Sequence, residues 1–265
     1  GNEGEGASEV LCVLTTTSCF APRASDKVVD VAKACKALGV PHVINNAYGV
    51  QCATICGDIT SAWRKGRVDA VVQSTDKNFA VPVGGAVVIG RKGCVDIPRL
   101  VDKNYPGRAS MSPLLDVAIT LLALGRKGWR QLLEKRQEMF LRLKEALARL
   151  AERLGERVLE TPGNPISLAM TLDAFHRSDA CQGSNEKTRF LGSMLFQRSV
   201  SGARVYAPGK KQDVNGAVFE NYGAHCSTYP HCYLNAAAAI GQSPEDIDRF
   251  IAKVEDAIAE RQQVK

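Results

Sequence analysis

At 265 residues, 45% hydrophobic and 23% charged, the chain has the composition of an ordinary globular protein and the length for a sizeable core and two domains. No run approaches the ~20 apolar residues of a membrane span and no secretory pattern opens the chain, so the expectation is a cytoplasmic protein with no membrane partner. Nine scattered cysteines, an odd number, read as reduced thiols rather than a disulfide framework, and a net charge of +6 permits a polyanionic partner without requiring one. The opening Gly1-Asn-Glu-Gly-Glu-Gly-Ala-Ser8, without a starting methionine, reads as a fragment boundary.

Glu9 to Thr15 reads as a short buried strand closed by a polar turn from Thr16 to Pro22. Ser25 or Asp26 can cap a helix from Lys27 to Leu38, which Gly39 terminates. Val40 to Asn46 is the next strand, followed by a helix from about Val50 to Trp63, the basic turn Arg64-Lys-Gly-Arg67 and a strand from Asp69 to Val72. Pro82-Val-Gly-Gly85 then feeds a strand from Ala86 to Ile89. Strands and helices alternating on short links predict an α/β fold with a mostly parallel sheet covered on both faces. From Pro113 to about Leu154 runs a long helical pattern, interrupted near Gly125 and Gly128. Its second part aligns Leu132, Leu133, Phe140, Leu143, Leu147, Leu150 and Leu154 on one face. Ile166 to Leu172 is a strand, His176 to Lys187 a polar loop, Arg189 to Val200 a helix and Ala203 to Tyr206 a short strand. Ser243-Pro-Glu-Asp246 starts a last helix with a capping serine, a proline in the first turn and acids behind it, and Ile247, Phe250, Ile251, Val254 and Ile258 form its apolar face. The change of character near Ser112 divides the chain into residues 1–112 and 113–265.

Lys77 falls on the turn between two strands expected to be buried, where low-dielectric surroundings disfavour the charged amine. A neutral amine attacks a carbonyl, so that setting suits a Schiff-base lysine, although the common fate of a loop lysine is solvation. Asn45-Asn-Ala-Tyr-Gly49 ends one strand and Ser74-Thr-Asp-Lys77 ends the strand two elements later. Ligands of open α/β sheets gather at the carboxyl ends of strands, so both segments point at one crevice.

This arrangement resembles fold-type-I pyridoxal-phosphate enzymes, in which a strand-end aspartate pairs with the pyridine nitrogen and a later Ser-x-x-Lys supplies the Schiff-base lysine. Asn45 stands here where aspartate is usual. An amide does not keep the pyridine nitrogen protonated as a carboxylate does, which favours elimination of a good leaving group over transamination. At finer grain, a series of blocks in order is similar to the O-phosphoseryl-tRNA(Sec) selenium transferase family. They are Thr16-Thr-Ser-Cys-Phe-Ala-Pro-Arg23, Asn45-Asn-Ala-Tyr-Gly-Val-Gln51, Asp76-Lys-Asn-Phe79, Val81-Pro-Val-Gly-Gly-Ala86, Tyr105-Pro-Gly-Arg-Ala-Ser110, Asn164-Pro-Ile-Ser-Leu-Ala-Met-Thr171 and Leu191-Gly-Ser-Met-Leu-Phe196. Val200-Ser-Gly-Ala-Arg204 and Tyr233-Leu-Asn-Ala-Ala237 extend the likeness over nearly the whole chain.

The resemblance implies a fold-type-I large domain, here partial (residues 1–112), followed by a small α+β domain (113–265). It also implies conversion of phosphoserine on selenocysteine tRNA to selenocysteine, through a Schiff base, loss of phosphate and addition of selenium from selenophosphate. It implies pyridoxal 5′-phosphate as cofactor and a homotetramer in the intact family. Lys77 matches the cofactor lysine, with Asn45 and Ser74 as further cofactor contacts. Arg108 matches a substrate-phosphate arginine, for which a guanidinium is suited because its donors meet two oxygens together. Arg64 and Arg198 match positions that contact tRNA, though each also fits a solvated basic face, and Ser74 also fits a turn cap.

The family's upstream cofactor-phosphate loop and ring-stacking residue have no counterpart in the 44 residues before Asn45, so the expectation is a piece that is incompetent alone. Two rival functions stand beside this one: a fold-type-I lyase on free amino acids, which would turn over phosphoserine without tRNA, and a non-catalytic tRNA-binding piece. His225-Cys226 and His231-Cys232 match no zinc spacing and read as structural, as do Cys52 and Cys56 four residues apart. Gly84-Gly85 is too short for a phosphate-binding fingerprint and reads as a close backbone approach.

Overall fold

The computed structural model describes residues 9–17, 19–91, 95–107, 110–224 and 226–263. The chain forms two compact units, one of residues 1–19 and 24–134, the other of residues 20–23 and 135–265.

The first unit is built on a four-stranded sheet in the order β1 (Val13–Thr16), β2 (His42–Asn45), β3 (Ala70–Ser74), β4 (Ala86–Gly90). The first three strands run parallel and β4 is antiparallel to β3, so the mostly parallel sheet expected from the alternation is present. Helices α1 (Val28–Leu38) and α2 (Ala53–Lys65) lie on one face, where Val28, Ala32, Ile44, Ala62, Val68 and Val71 form the core. Coverage of both faces is not complete among the described residues. On the opposite face, α4 (Ile97–Asn104) reaches the β4 edge with Pro98 against Gly90, while Leu14 of β1 is 64% exposed.

Helix α1 starts without a side-chain cap, contrary to the expectation for Ser25 or Asp26. The Asp26 carboxylate instead accepts from the Thr16 amide at 2.7 Å, and the Ser25 hydroxyl donates to the Thr17 carbonyl, so both serve the strand end. Gly39 ends the helix at φ +71° as expected. The helix predicted from Val50 is split into a 3-10 turn (Gly49–Gln51) and α2, and β3 runs two residues past Val72 to Ser74 because β4 pairs with it to the end. A four-residue helix α3 (Asp76–Phe79) follows β3. Helix α5 (Ser112–Arg153) is broken at Gly125, φ +58°, as the sequence pattern indicated.

The second unit carries an antiparallel sheet in the order β5 (Val158–Leu159), β6 (Ser167–Thr171), β10 (Tyr233–Ala237), β7 (Arg204–Tyr206). Its core joins Leu143, Leu147 and Leu150 of α5 to Met170, Leu191, Leu195, Leu234, Ile247 and Ile258, with Phe140, Leu154, Phe250 and Ile251 packed at the margin. The apolar face predicted for α8 (Pro244–Gln263) and, from Phe140 onward, that predicted for α5 therefore turn inward, while Leu132 and Leu133 stay outside this core. The Ser243 hydroxyl accepts from the Asp246 amide at 3.3 Å and the Asp246 carboxylate accepts from the Ser243 amide at 3.0 Å, a reciprocal cap at the predicted helix start.

The polar stretch from His176 to Lys187 is not all loop. It holds the end of α6 (Asp173–Arg177) and the start of α7 (Asn185–Gln197). Helix α6 is fastened from outside: the Glu156 carboxylate accepts from the amides of Asp173 and Phe175, each at 3.0 Å, a cap invisible to local sequence. A hairpin of β8 (Gln212–Val214) and β9 (Ala217–Phe219) turns at Asn215-Gly216 with both residues at positive φ. Residues 20–23 pack into this unit. The Ala21 amide donates to Ser167 Oγ at 2.7 Å, and Asn164 Nδ2 donates to the Arg23 carbonyl at 2.8 Å.

Candidate functional site

The two strand ends singled out in the sequence are neighbours, because β2 and β3 pair in parallel with Asn45 opposite Val72. Alternation along each strand puts Asn45 on one face with Val72 and Ser74, and Asn46 on the other with Val71 and Gln73. Asn46 is buried: its Oδ1 accepts from Thr17 Oγ1 at 2.6 Å and its Nδ2 donates to Gln73 Oε1 at 3.2 Å. A Cβ on Gly49 would lie 1.9 Å from Asn46 Oδ1, so only glycine fits the turn beneath it. Asn45 is half-buried, and its Oδ1 accepts from the Ala47 amide at 3.1 Å, closing a local turn. The pleat thus separates two adjacent asparagines, committing Asn46 to the core and leaving Asn45 beside Ser74.

Lys77 sits on α3 and is exposed, with 35% of its side chain open to solvent. The low-dielectric surroundings expected for it are absent among the described residues, because β3 ends before the lysine and the short helix lifts it outward. Its Nζ lies 3.3 Å from Ser74 Oγ, 3.5 Å from Asp76 Oδ2 and 5.5 Å from the centre of the Tyr48 ring. Burial pushes the Asp76 carboxyl up, but the Ser74 hydroxyl bonded to it and the Lys77 charge outweigh that and hold it below the usual carboxylate range. The segment is fastened behind by Phe79, which stacks on Trp129 of α5 at 5.4 Å. The Gly85 carbonyl accepts from both the amide and the hydroxyl of Thr75, at 3.1 and 2.9 Å. A Cβ on Gly85 would meet Thr75 Oγ1 at 2.7 Å and Pro113 Cβ at 2.8 Å, which is the close approach read from the glycine pair.

Arg64 is exposed near the end of α2 and makes no hydrogen bond or ion pair with the described residues. It borders a cavity of about 350 Å³ between α2 and strands β3 and β4, lined also by Asn46, Trp63, Gln73 and Ile89. Arg198, in the second unit, is engaged: Nη1 donates to the Met194 carbonyl at 3.0 Å and Nη2 pairs with Glu260. Arg108 and His225 lie outside the described residues. His231 bridges Asp173 at 2.6 Å and Arg157 at 3.0 Å, and no cluster able to hold a metal occurs among the described residues. Cys232 is buried beside Asp173, and burial with that charge pushes its thiol up to about 12. Cys52 precedes α2 rather than lying in it, while Cys56 donates to the Gly49 carbonyl at 3.5 Å.

The structure adds residues that the sequence reading did not single out. Tyr48 and Asp76 flank Lys77, and the buried amides of Gln51 and Asn78 bond to backbone around it. Tyr48 and Asp76 stood within the quoted blocks and could have been named from adjacency. Burial of an asparagine and a glutamine has no signal in the local pattern.

The family model described as "O-phosphoseryl-tRNA(Sec) selenium transferase, SepSecS" matches residues 2–259. The O-phosphoseryl-tRNA(Sec) selenium transferase of Dictyostelium discoideum is 43% identical over 259 residues, covering 94% of this chain and 54% of that one. The crystal structure of an archaeal O-phosphoseryl-tRNA(Sec) selenium transferase superposes with a TM-score of 0.73 at 32% identity, over 92% of this chain and 51% of its own. Oryza sativa TDC, solved with PLP, superposes with a TM-score of 0.60 at 15% identity, over 95% of this chain and 48% of its own, a likeness of fold alone. The fold is that of the fold-type-I pyridoxal-phosphate enzymes, as the strand-end pattern predicted. The chain spans about half the length of the relatives it matches. With conserved fold, ordered blocks and a family match from residue 2 to residue 259, the chain belongs to the O-phosphoseryl-tRNA(Sec) selenium transferase family.

Proposed function

We propose that this chain is the lysine-bearing part of an enzyme that converts phosphoserine carried on selenocysteine tRNA into selenocysteine, with pyridoxal 5′-phosphate as cofactor and selenophosphate as selenium donor. The observation that carries the reading is one constellation at the carboxyl ends of neighbouring parallel strands: the Lys77 amine lies at the Ser74 hydroxyl, and Ser74 shares its face of the sheet with Asn45. These residues fit the cofactor: a primary amine for its aldehyde, a hydroxyl within hydrogen-bond reach of that amine and an amide on the same face of the sheet for the ring. When bound, pyridoxal phosphate supplies an electron sink for bond breaking at the α-carbon of an amino acid.

Lys77 Nζ would anchor the cofactor and, when free, would carry the proton at the substrate α-carbon. Ser74 and the ionised Asp76 orient that nitrogen between turnovers. Asn45 would offer the ring a neutral amide in place of a carboxylate. Arg108 takes the substrate phosphate, as its Tyr-Pro-Gly-Arg block supports. Arg64, exposed and without a partner among the described residues, suits a tRNA phosphate. For Arg198 to do the same, it must exchange its contact with Glu260. An upstream cofactor-phosphate loop and ring-stacking residue, as in the family, would complete the site, and the complete protein assembles as a homotetramer.

The test is borohydride reduction with pyridoxal phosphate followed by mass spectrometry of the full chain. The expected result is an adduct on Lys77 that disappears in Lys77→Ala. No adduct at Lys77, either on this chain or on one extended to the length of its relatives, would overturn the reading.

A further inference from the structure

We propose that Asn78 and Gln51 are positioning residues that lock the Lys77 turn to the Asn45–Tyr48 turn and so set the lysine against the rest of its site. The proposal rests on the cofactor reading above. The backbone ladder between β2 and β3 reaches its last strand pair at Asn45 and Val72, followed by one bond from the Asn46 amide to the Val72 carbonyl at 2.8 Å. Ser74 and Lys77 lie beyond that point. Asn78 is 0% exposed and spends both hydrogens of its amide there, on the carbonyls of Ala47 and Ser74, each at 2.7 Å. Gln51 is 6% exposed and donates Nε2 to the carbonyl of Lys77 itself at 3.1 Å.

One asparagine therefore bridges the two turns directly, and one glutamine ties the lysine backbone to the 3-10 turn that follows Asn45. The acceptors are carbonyls past the end of a sheet, which need donors once buried. Only an amide of this reach supplies two donors at once: serine has one, and aspartate would set an acceptor against acceptors. The orientation of each amide follows, since its NH₂ group must face the carbonyls. The amide oxygens Asn78 Oδ1 and Gln51 Oε1 have no partner among the described residues. What these side chains contribute is accordingly the donor half alone, aimed at the two turns. A shift of about 1 Å between groups that must act together costs on the order of 100-fold in rate, so a bridge at this place bears directly on the lysine.

The test uses the full chain with Asn78→Asp, which keeps shape and removes the donors, and Gln51→Met, which keeps volume and removes one donor. Two quantities are read at matched folding by circular dichroism. One is amide hydrogen exchange over residues 45–49 and 74–79. The other is the rate of pyridoxal-phosphate labelling of Lys77 relative to exposed Lys33. Exchange in both turns should quicken about tenfold, the scale of one buried hydrogen bond. The Lys77-to-Lys33 labelling ratio should fall about 10- to 100-fold. Gln51→Met remains decisive if Asn78→Asp does not fold. Unchanged exchange and an unchanged ratio in a folded variant would overturn the bridge. If neither the wild-type chain nor one extended to the length of its relatives shows a preference for Lys77 over Lys33, the cofactor reading falls instead, and the exchange arm alone then decides the bridge.

Discussion

At the scale of single residues, the site turns on which way two neighbouring asparagines point. Asn46 is bonded to Thr17 and Gln73 on the helix-covered face, while Asn45 stays on the face of Ser74. On the proposed reading, an amide at Asn45 would offer the ring nitrogen no negative charge to stay protonated, and loss of phosphate should be favoured over transamination. Asn45→Asp should then raise transamination of a simple amino acid relative to elimination and shift the bound-cofactor absorbance. An unchanged spectrum and partition would mean that Asn45 does not meet the ring. Lys77 is held by an ion pair to its own neighbour Asp76, an exposed contact of modest worth, and by a hydroxyl two residues upstream of that neighbour. Such partners orient an amine without immobilising it, which suits the role proposed for Lys77.

At the scale of elements, caps and close approaches decide where the chain turns. The reciprocal bonds between Ser243 and Asp246 start α8, whose Ile247, Val254 and Ile258 are all buried. Ser243→Ala should lower stability by about 1 kcal/mol, seen as a lower urea midpoint with unchanged slope. No change in midpoint would show that the acid alone suffices. These starts and stops were legible because a cap, its proline and its acids are contiguous. The cap of α6 was not, since Glu156 arrives from a different segment. Strand β10 escaped notice for a related reason. Tyr233-Leu-Asn-Ala-Ala237 has little strand propensity of its own and becomes extended by pairing with β6 on one side and β7 on the other.

At the scale of the whole molecule, burial couples folding to pH. His42 is 0% exposed, with Nε2 2.8 Å from Thr15 Oγ1 and Nδ1 3.0 Å from the Arg67 carbonyl. Burial lowers its pKa from 6.5, against the smaller opposing pull of the Arg67 carbonyl and the Asp69 charge. The unfolded chain therefore takes up a proton near pH 6.5 that the folded chain refuses until lower pH. The stabilisation from a neutral His42 is complete above that value and is lost as pH falls toward the folded pKa. The urea midpoint should drop between pH 7.5 and pH 5.5 by more in the wild type than in His42→Gln. Equal drops would refute the assignment.

The sequence by itself determined most of the local elements and the family. Helix faces, glycine stops, the α8 cap and the strand ends bearing Asn45 and Ser74 are written in residues a few positions apart, where periodicity and turn chemistry act. The ordered blocks likewise carried the family. Only the tertiary structure decided the contacts that make those residues specific. It set the register that parts Asn45 from Asn46 and lifted Lys77 out of the sheet. It spent Arg198 on Glu260 and buried Gln51 and Asn78 across the two turns. Each of these depends on groups brought together from distant positions, where the free energy of burial and of satisfying buried polar groups outweighs local preference.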